Sequence, residues 1–116
     1  SEDCLSEPIS LDSLLITRPS SSFLFRVAGN SMLPDITDGA IIVVDKSLRA
    51  VTGKIVLATI DNEFVVKRLK LDYGNRRAIF LSSNPEYDPI IVEFDDDNTW
   101  ENSVIWGVVT SAISIF

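Results

Sequence analysis

Two strand-like runs joined by a two-residue turn constrain the fold of this chain more than any other feature. The runs span residues 54–60 and 63–70, and both are rich in apolar residues, with Asp61-Asn62 between them. Asp and Asn tolerate the positive φ values that a two-residue hairpin turn needs, although less well than Asn-Gly. The pattern therefore predicts an antiparallel hairpin whose second strand carries Lys67 among apolar neighbours.

The remainder of the chain also favours strands, because no stretch shows sustained helical periodicity. Residues 40–44 are too apolar to show alternation of apolar and polar residues, and we expect this strand to be covered on both faces. Residues 11–16 fit either a short helical turn or an edge strand. We predict a mainly β fold with about seven short strands and little helix. The other strand-like runs are Phe23–Val27, Arg77–Leu81, Ile90–Phe94 and Val104–Phe116, the last being one long strand or a pair.

The length of 116 residues is enough for one domain with a substantial core, but not for two. We expect residues 1–20 to form an extended N-terminal arm and residues 21–116 to form the folded domain. The single cysteine, Cys4, excludes an internal disulfide and lies in that arm. Because the chain has no histidine to serve as its base, Cys4 is not expected to be a nucleophile.

The net charge of −7 argues against direct binding of nucleic acid. Proteins gain affinity for nucleic acid when Lys and Arg neutralise phosphates, and alternation along a strand divides the basic residues near position 68 between two faces. No apolar run has the length of a membrane span, and no basic-then-apolar signal segment opens the chain. These features predict a cytoplasmic protein with no specific nucleic-acid binding and no membrane contact.

A serine that follows a Gly-Asn pair is the first candidate for chemistry. Gly29 lies two residues before Ser31, and its lack of a side chain suits a turn whose backbone comes close to another group. A serine hydroxyl needs a base to become a nucleophile, and a Ser-His-Asp arrangement is impossible without histidine. If the protein performs acyl chemistry, Ser31 is the predicted nucleophile, and the N–H groups of residues 29–31 are candidate oxyanion donors.

The second candidate is Lys67, which can act as the base if it is neutral. A lysine with the ordinary pKa of about 10.4 is protonated at neutral pH, but burial lowers the pKa by up to ~3–5 units. Phe64, Val66 and Leu69 lie close to Lys67 in the sequence. Taken separately, a turn serine and a lysine that snorkels to water are the simpler explanations. The combination of the two patterns favours the catalytic pair.

The acidic run Asp95–Asp97 is the feature most suggestive of a metal site. Calcium loops need spaced ligands and a glycine that bends the loop, and this run has neither. We therefore expect no metal and no cofactor. Asp35, Asp38 and Asp45 are explained more simply as turn or cap residues than as catalytic carboxylates.

Two blocks of the sequence resemble the LexA/UmuD family of self-cleaving serine peptidases. The first block is Gly29-Asn30-Ser31-Met32 followed by Asp38-Gly39, and the second joins Gly53–Val56 to Glu63–Leu69. The resemblance extends over nearly the whole chain, and the flanking segments favour the UmuD branch. Those segments are Leu11–Phe25 and Ile105–Val109.

The resemblance implies a domain of strongly bent antiparallel sheets that forms a homodimer in the bacterial DNA-damage response. In that family, a RecA filament on single-stranded DNA promotes cleavage of a short N-terminal arm. The shortened product then joins UmuC, a Y-family polymerase subunit, in an error-prone translesion polymerase. Carried over by position, Ser31 is the nucleophile and Lys67 is the general base.

The self-cleavage site of that family is missing from this sequence. The family cuts at Cys-Gly or Ala-Gly in the arm, whereas here Cys4 precedes Leu5, and the Ala28-Gly29 pair is too close to Ser31 to reach the active site. The chain therefore resembles the processed form. Two alternatives remain open. One is the peptidase domain of a LexA-type or phage repressor, and the other is a signal-peptidase-like enzyme, which would need a membrane anchor.

The last run, residues 104–116, predicts self-association. It is apolar on both alternating faces apart from Thr110, Ser111 and Ser114. A small domain has difficulty covering both faces of such a strand, and an exposed edge of this kind invites pairing with a second copy. A two-fold homodimer is the commonest arrangement.

Overall fold

The structure is a computed structural model that describes residues 7–97 and 99–116. Cys4 and the start of the predicted arm lie outside the described residues. Seven strands form one antiparallel sheet, which confirms the mainly β fold. They are β1 (Ser22–Arg26), β2 (Ile41–Asp45), β3 (Ile55–Ile60), β4 (Glu63–Asp72), β5 (Arg77–Leu81), β6 (Ile90–Glu93) and β7 (Ile105–Ile113).

Strands β3 and β4 confirm the predicted hairpin. They are joined by Asp61 and Asn62, which have φ values of 51° and 63°. The register places Lys67 opposite Val56, a fully buried residue. Because β4 is paired with β3 on one side and β5 on the other, Lys67 lies in the interior of the sheet.

The strand order across the sheet is β1-β2-β7-β3-β4-β5-β6. Strand β7 lies between β2 and β3, so the expectation that this last run forms an exposed edge is wrong. Residues 105–108 of β7 pair with β3 and residues 108–113 pair with β2, and Gly107 and Val108 within it are buried. The exposed apolar residues of this run come after the strand, at Ile115 and Phe116.

The strand register shifts at two positions in the middle of the sheet. The register shifts between residues 43 and 44 of β2 and between residues 57 and 58 of β3, in each case along the pairing with β7. A bulge bends its strand and increases the local twist. These register shifts are consistent with the strongly bent antiparallel sheets expected for the family.

Buried side chains form two clusters, one on each face of the sheet. Val56 and Leu57, adjacent in β3, belong to different clusters because successive side chains of a strand point to opposite faces. Residues 40–44 are buried apart from the half-buried Ile41, which agrees with a β2 covered on both faces. The clusters are Val56, Ala58, Leu69, Ala78, Phe80, Trp100 and Val108, and Met32, Ile36, Ala40, Ile42, Val44 and Leu57.

Helical structure in the described residues is limited to short segments. Residues 11–16 were expected to form either a short helical turn or an edge strand, and the structure has the helix α1 (Leu11–Leu15) there. A 3₁₀ turn spans Pro19–Ser21. Helix α2 (Thr99–Val104) is not indicated by the sequence, because its six residues are too few to show a helical period. Its residue Trp100 is buried and stacks on Phe94, with 4.8 Å between ring centroids. No helix in residues 7–97 and 99–116 is long and apolar enough to span a membrane.

The segment before β1 is attached to the sheet through a buried carboxylate. Arg18 Nε donates to Asp45 Oδ2 at 2.7 Å, and Ser21 Oγ donates to Asp45 Oδ1 at 2.9 Å. Asp45 is the last residue of β2 and is buried. The division of the chain into an arm and a domain at residue 20 stays a prediction.

Candidate active site

Ser31 lies in a loop that leaves and re-enters the sheet at one point. At the neck of this loop, the backbone of Val27 makes two hydrogen bonds of 2.8 Å with residues 39–40. Inside the loop, Gly29 has a φ of 96°, a conformation that favours glycine, and its N–H donates to Asp38 Oδ1 at 2.7 Å. These contacts close the loop around Ser31.

The residue after Ser31 fixes the loop to the core. Met32 is almost fully buried and belongs to the same cluster as Ile36, whose N–H donates to Met32 O at 2.9 Å. Ser31 itself is half-buried. Burial of its neighbour therefore holds Ser31 at the boundary between the core and the solvent.

Lys67 is buried in the sheet, with 7% of its surface exposed. Burial lowers the pKa of Lys67 below its usual value, because desolvation penalises the ammonium form. A lysine with a lowered pKa is a better proton acceptor near neutral pH than an exposed lysine. This is the property that a serine nucleophile needs in its base.

The segment after β5 supplies two contacts to the Lys67 amine. Nζ donates to Ser82 Oγ at 2.7 Å and lies 5.6 Å from the ring centroid of Tyr87, which is within the range of a cation–π contact. Ser82 faces Lys67 because it continues the β4–β5 register by one step beyond the pair Arg68 and Leu81. The antiparallel pairing therefore delivers the hydroxyl to the amine.

The same segment contacts the loop that carries Ser31. Asn84 N–H donates to Ser31 O at 2.9 Å, and Asn84 Nδ2 donates to Asn30 O at 3.1 Å. Ser31 and Lys67 are thus both attached to residues 82–84. Among the described residues, the structure forms no hydrogen bond between Ser31 Oγ and Lys67 Nζ.

A cavity of about 300 Å³ opens beside Ser31. Most of the side chains that line it are apolar, including Phe25, Val66 and the largely exposed Phe64. Lys67 is not among the lining residues, so its amine lies outside the cavity wall. A mainly apolar cavity next to a serine suits an extended peptide segment with an apolar side chain.

The hydrogen bond between Gly29 and Asp38 corrects one expectation. The sequence makes the N–H groups of residues 29–31 candidate oxyanion donors, but the Gly29 N–H is directed at Asp38 Oδ1. An oxyanion donor has to point at the oxygen of the reacting group. The candidates in this turn are therefore reduced to the N–H groups of Asn30 and Ser31.

The acidic run after β6 has structural partners of its own. Asp96 pairs with Arg76 at 2.8 Å, and Asp97 Oδ1 accepts a hydrogen bond from Thr99 Oγ1 at 3.0 Å. In the part of the chain that the structure describes, no three His, Cys, Asp or Glu side chains come together in a way that could hold a metal ion.

Sequence reasoning treats residues 82–85 as a loop and misses Ser82 and Asn84. The signal that identifies Ser82 is the register of the β4–β5 hairpin, in which Asp72 pairs with Arg77. Once that turn is placed, the position opposite Lys67 is residue 82. Asn84 carries no comparable signal, because its contacts depend on how the loop around Ser31 folds over the sheet.

Comparison with known proteins gives matches over most of the chain. A family model described as Peptidase S24-like matches residues 1–110. Protein MucA of Salmonella typhimurium is 39% identical over 108 residues, which are 92% of this chain and 69% of MucA. Protein ImpA of Escherichia coli is 36% identical over 113 residues, which are 96% of this chain and 71% of ImpA. The LexA repressor of Providencia rettgeri is 35% identical over 96 residues, which are 82% of this chain and 46% of the repressor.

Proposed function

Because this chain belongs to the Peptidase S24-like family, we propose that it is a serine peptidase with Ser31 as the nucleophile and Lys67 as the general base. Membership of this family confirms the resemblance to the LexA/UmuD self-cleaving peptidases. The burial of Lys67 is the observation that carries the proposal, because a lysine in the interior of a sheet is unfavourable unless its neutral form is used. The attachment of both residues to one loop supports the pairing.

The proposed reaction begins when Ser31 Oγ attacks the carbonyl carbon of a peptide bond and transfers its proton to the neutral Nζ of Lys67. The carbonyl electron pair moves to the oxygen, where the N–H groups of Asn30 and Ser31 are the candidate donors. The Lys67 ammonium then gives its proton to the departing amine as the C–N bond breaks. Water hydrolyses the acyl-serine by the same route, with Lys67 taking the proton of water and returning it to Ser31 Oγ.

The proton transfer requires Ser31 Oγ and Lys67 Nζ to come within hydrogen-bond reach, roughly 2.6–3.2 Å. The bond to Ser82 engages one hydrogen of Nζ, and a neutral amine keeps a lone pair for the serine proton. Catalytic hydrogen bonds of unliganded enzymes often tighten only when substrate is bound. A peptide in the cavity beside Ser31 is in a position to cause that change.

A fluorophosphonate tests the pair without knowledge of the natural substrate. Ser31 Oγ forms a bond to phosphorus, fluoride leaves, and the hydroxyl proton goes to Lys67. We expect mass spectrometry to locate the adduct on Ser31, with a labelling rate that rises with pH through the lowered pKa of Lys67. Ser31→Ala and Lys67→Ala should both abolish labelling while retaining the wild-type circular dichroism. Full labelling of Lys67→Ala would refute the assignment of the base.

The cellular role that fits the chain best is that of a UmuD-like accessory subunit of an error-prone translesion polymerase in the SOS response. MucA and ImpA, which are matched over more than two thirds of their lengths, support this role over that of a repressor. The net charge of −7 opposes direct contact with phosphates. In this role the protein acts in the cytoplasm as a homodimer, with a RecA filament on single-stranded DNA and a UmuC-like Y-family polymerase subunit as its partners.

Co-purification from the source organism tests this role. Tagged protein is expected to retain the polymerase subunit, and Ser31→Ala should retain it equally well, because the association does not use the nucleophile. Duplex DNA should bind the isolated protein only non-specifically, at ~10⁻⁴ M or weaker in physiological salt. Loss of the polymerase subunit from Ser31→Ala would mean that the active site takes part in the association.

The second candidate role is that of the peptidase domain of a LexA-like repressor. The observation that favours it is the 35% identity to the LexA repressor of Providencia rettgeri, of which this chain covers 46%. Sequencing the encoded protein upstream of Ser1 distinguishes the two roles. A helix-turn-helix domain there, together with submicromolar binding of one DNA sequence by the full chain, would identify a repressor.

A further inference from the structure

We propose that Ser82 is a positioning residue for the peptidase reaction, and that its hydroxyl orients the Nζ of Lys67 to accept the proton of Ser31. The inference rests on the proposed function, because it assigns a role in the same site. It is carried by the 2.7 Å hydrogen bond from Lys67 Nζ to Ser82 Oγ, which joins β4 to the residue that directly follows β5.

A buried lysine needs a partner of this kind because burial alone does not orient its amine. The strands fix the stem of Lys67, but Nζ carries its hydrogens at the end of a flexible four-carbon chain and rotates freely. A hydrogen bond to Ser82 engages one of those hydrogens. The lone pair of the neutral amine is then confined to directions away from Ser82, where the serine proton has to arrive.

The position of Ser82 also relates the base to the nucleophile. Two residues further along, Asn84 binds the carbonyl oxygens of Asn30 and Ser31 at 3.1 Å and 2.9 Å. One short stretch of chain therefore holds the amine at one end and the serine loop at the other. A misplacement of about 1 Å between reacting groups can lower a rate by about a hundredfold, so this link is well placed to control the reaction.

The hydroxyl also has an electrostatic effect on Lys67 that makes the proposal testable. When Lys67 is charged, Ser82 Oγ accepts a hydrogen bond from the ammonium and favours that form. Removal of the hydroxyl should therefore lower the pKa of Lys67 beyond the effect of burial. A variant without the hydroxyl is expected to react more slowly at saturating pH, yet to reach half of its own maximal rate at a lower pH.

Such a variant leaves the other residues near the amine unchanged. Tyr87 lies on the segment after β5, with its ring 5.6 Å from Nζ, and β3 presents the apolar Val56. Arg68 is the next residue in β4 and pairs with Asp35 at 3.5 Å in a partly exposed ion pair. A change in the pH profile is therefore attributable to the hydroxyl.

The test is the pH profile of fluorophosphonate labelling in four proteins: the wild type, Ser82→Ala, Ser82→Thr and Ser83→Ala. We expect Ser82→Ala to lower the maximal rate by roughly tenfold to hundredfold and to move the midpoint to lower pH. Ser82→Thr keeps a hydroxyl and should recover both values. Ser83→Ala is the matched control, because Ser83 Oγ donates to Asp35 Oδ2 at 2.7 Å, and it should keep the wild-type midpoint.

Two results would overturn the role of Ser82. One is a Ser82→Ala protein with the maximal rate and midpoint of the wild type, and the other is a loss of rate that Ser82→Thr does not recover. Failure of the wild type to label Ser31 would instead refute the proposed function. In that case an NMR titration of the Lys67 amine still tests the contact, because Ser82→Ala should move its pKa downward whether or not the protein is a peptidase.

Discussion

Arg18 and Asp45 form an ion pair between the segment before β1 and the interior of the sheet, with 2.7 Å between Nε and Oδ2. Asp45 also accepts hydrogen bonds from the hydroxyl and N–H of Ser47 and from the hydroxyl of Ser21. The Ser47 hydroxyl contributes most to holding the pKa of Asp45 well below its usual range, against the opposing effect of burial. The ionised carboxylate is therefore a structural element that fastens this segment to β2.

The first prediction concerns the dependence of stability on this carboxylate. Asp45→Asn should lower the free energy of unfolding at pH 7 by about 1–3 kcal/mol, because it removes the negative charge to which Arg18, Ser21 and Ser47 donate hydrogen bonds. A carboxyl group with a lowered pKa stabilises the fold fully above its unfolded value of about 3.9, and this contribution is lost as the pH falls below it. Urea denaturation at pH 7 and pH 3 measures both effects.

The exposed Asp95 provides the control for that experiment. Asp95→Asn should leave the free energy of unfolding within about 0.5 kcal/mol of the wild type at both pH values. If the free energies of unfolding of the wild type and Asp45→Asn differ as much at pH 3 as at pH 7, the ionised carboxylate is not the source of the stability.

The second prediction is that the candidate base weakens the fold. Lys67→Met fills similar space without a buried amine and should raise the free energy of unfolding at pH 7 by about 0.5–2 kcal/mol, while abolishing fluorophosphonate labelling. Because the folded state lowers the pKa of Lys67, the unfolded chain binds more protons at intermediate pH. The free energy of unfolding of the wild type should therefore rise towards pH 10. The difference in this free energy between the wild type and Lys67→Met should decrease over the same range.

Thermal unfolding between pH 6 and pH 10 tests this prediction, with Lys54→Met as the control at an exposed lysine. The control is expected to leave the pH dependence of the melting temperature unchanged. A Lys67→Met protein that is less stable than the wild type at pH 7 would show that the amine supports the fold rather than straining it.

The third prediction concerns the close packing of β7 against β2. A Cβ at Gly107 would lie 2.6 Å from Val44 Cγ1 and 3.2 Å from Asp45 O, so Gly107→Ala should lower the free energy of unfolding by about 1–3 kcal/mol. At Gly74 the nearest atom to such a Cβ is 3.7 Å away, and Gly74→Ala should change stability by less than about 0.5 kcal/mol. Chemical denaturation compares the pair, and equal stabilities would mean that β7 can shift away from β2.

The fourth prediction is the oligomeric state. The proposed homodimer now rests on apolar side chains that the isolated chain leaves exposed, including Leu24 on the edge strand β1 and Ile115 and Phe116 after β7. Sedimentation equilibrium at micromolar concentration should give twice the chain mass of 12.8 kDa. A single species of 12.8 kDa at that concentration would remove the homodimer from the proposed function.

The sequence predicted the parts of the fold that depend on local pattern. The Asp61-Asn62 turn and its flanking strands follow from residue types that are adjacent in the chain, and the structure confirms them. The position of β7 could not be predicted from the sequence. It depends on which strands pair over long sequence separations, and β7 pairs between β2 and β3. An apolar run looks the same at an edge and in the interior of a sheet until its neighbours are known.

In the candidate site, too, local sequence patterns predicted some residues and not others. The sequence identified Ser31 and Lys67 through their local patterns, and their roles stay a prediction that the labelling experiment tests. Ser82 was not predicted, because a serine in a polar stretch resembles any other loop residue. Only the register of β4 and β5 places it beside Lys67. The sequence could not exclude the Gly29 N–H from the candidate oxyanion donors, because its partner, Asp38, lies across the loop rather than next to it in the chain.

The central place of β7 also has a consequence for the order in which the sheet is completed during protein synthesis. Strand β2 follows the loop of Ser31, strand β3 leads into the hairpin of Lys67, and the two are connected in the sheet only through β7. The ribosome completes residues 105–113 well after it has made Ser31 and Lys67. A nascent chain without β7 therefore lacks the strand that joins the two hairpins in the sheet, and we expect the proposed site to be complete only after translation has passed β7.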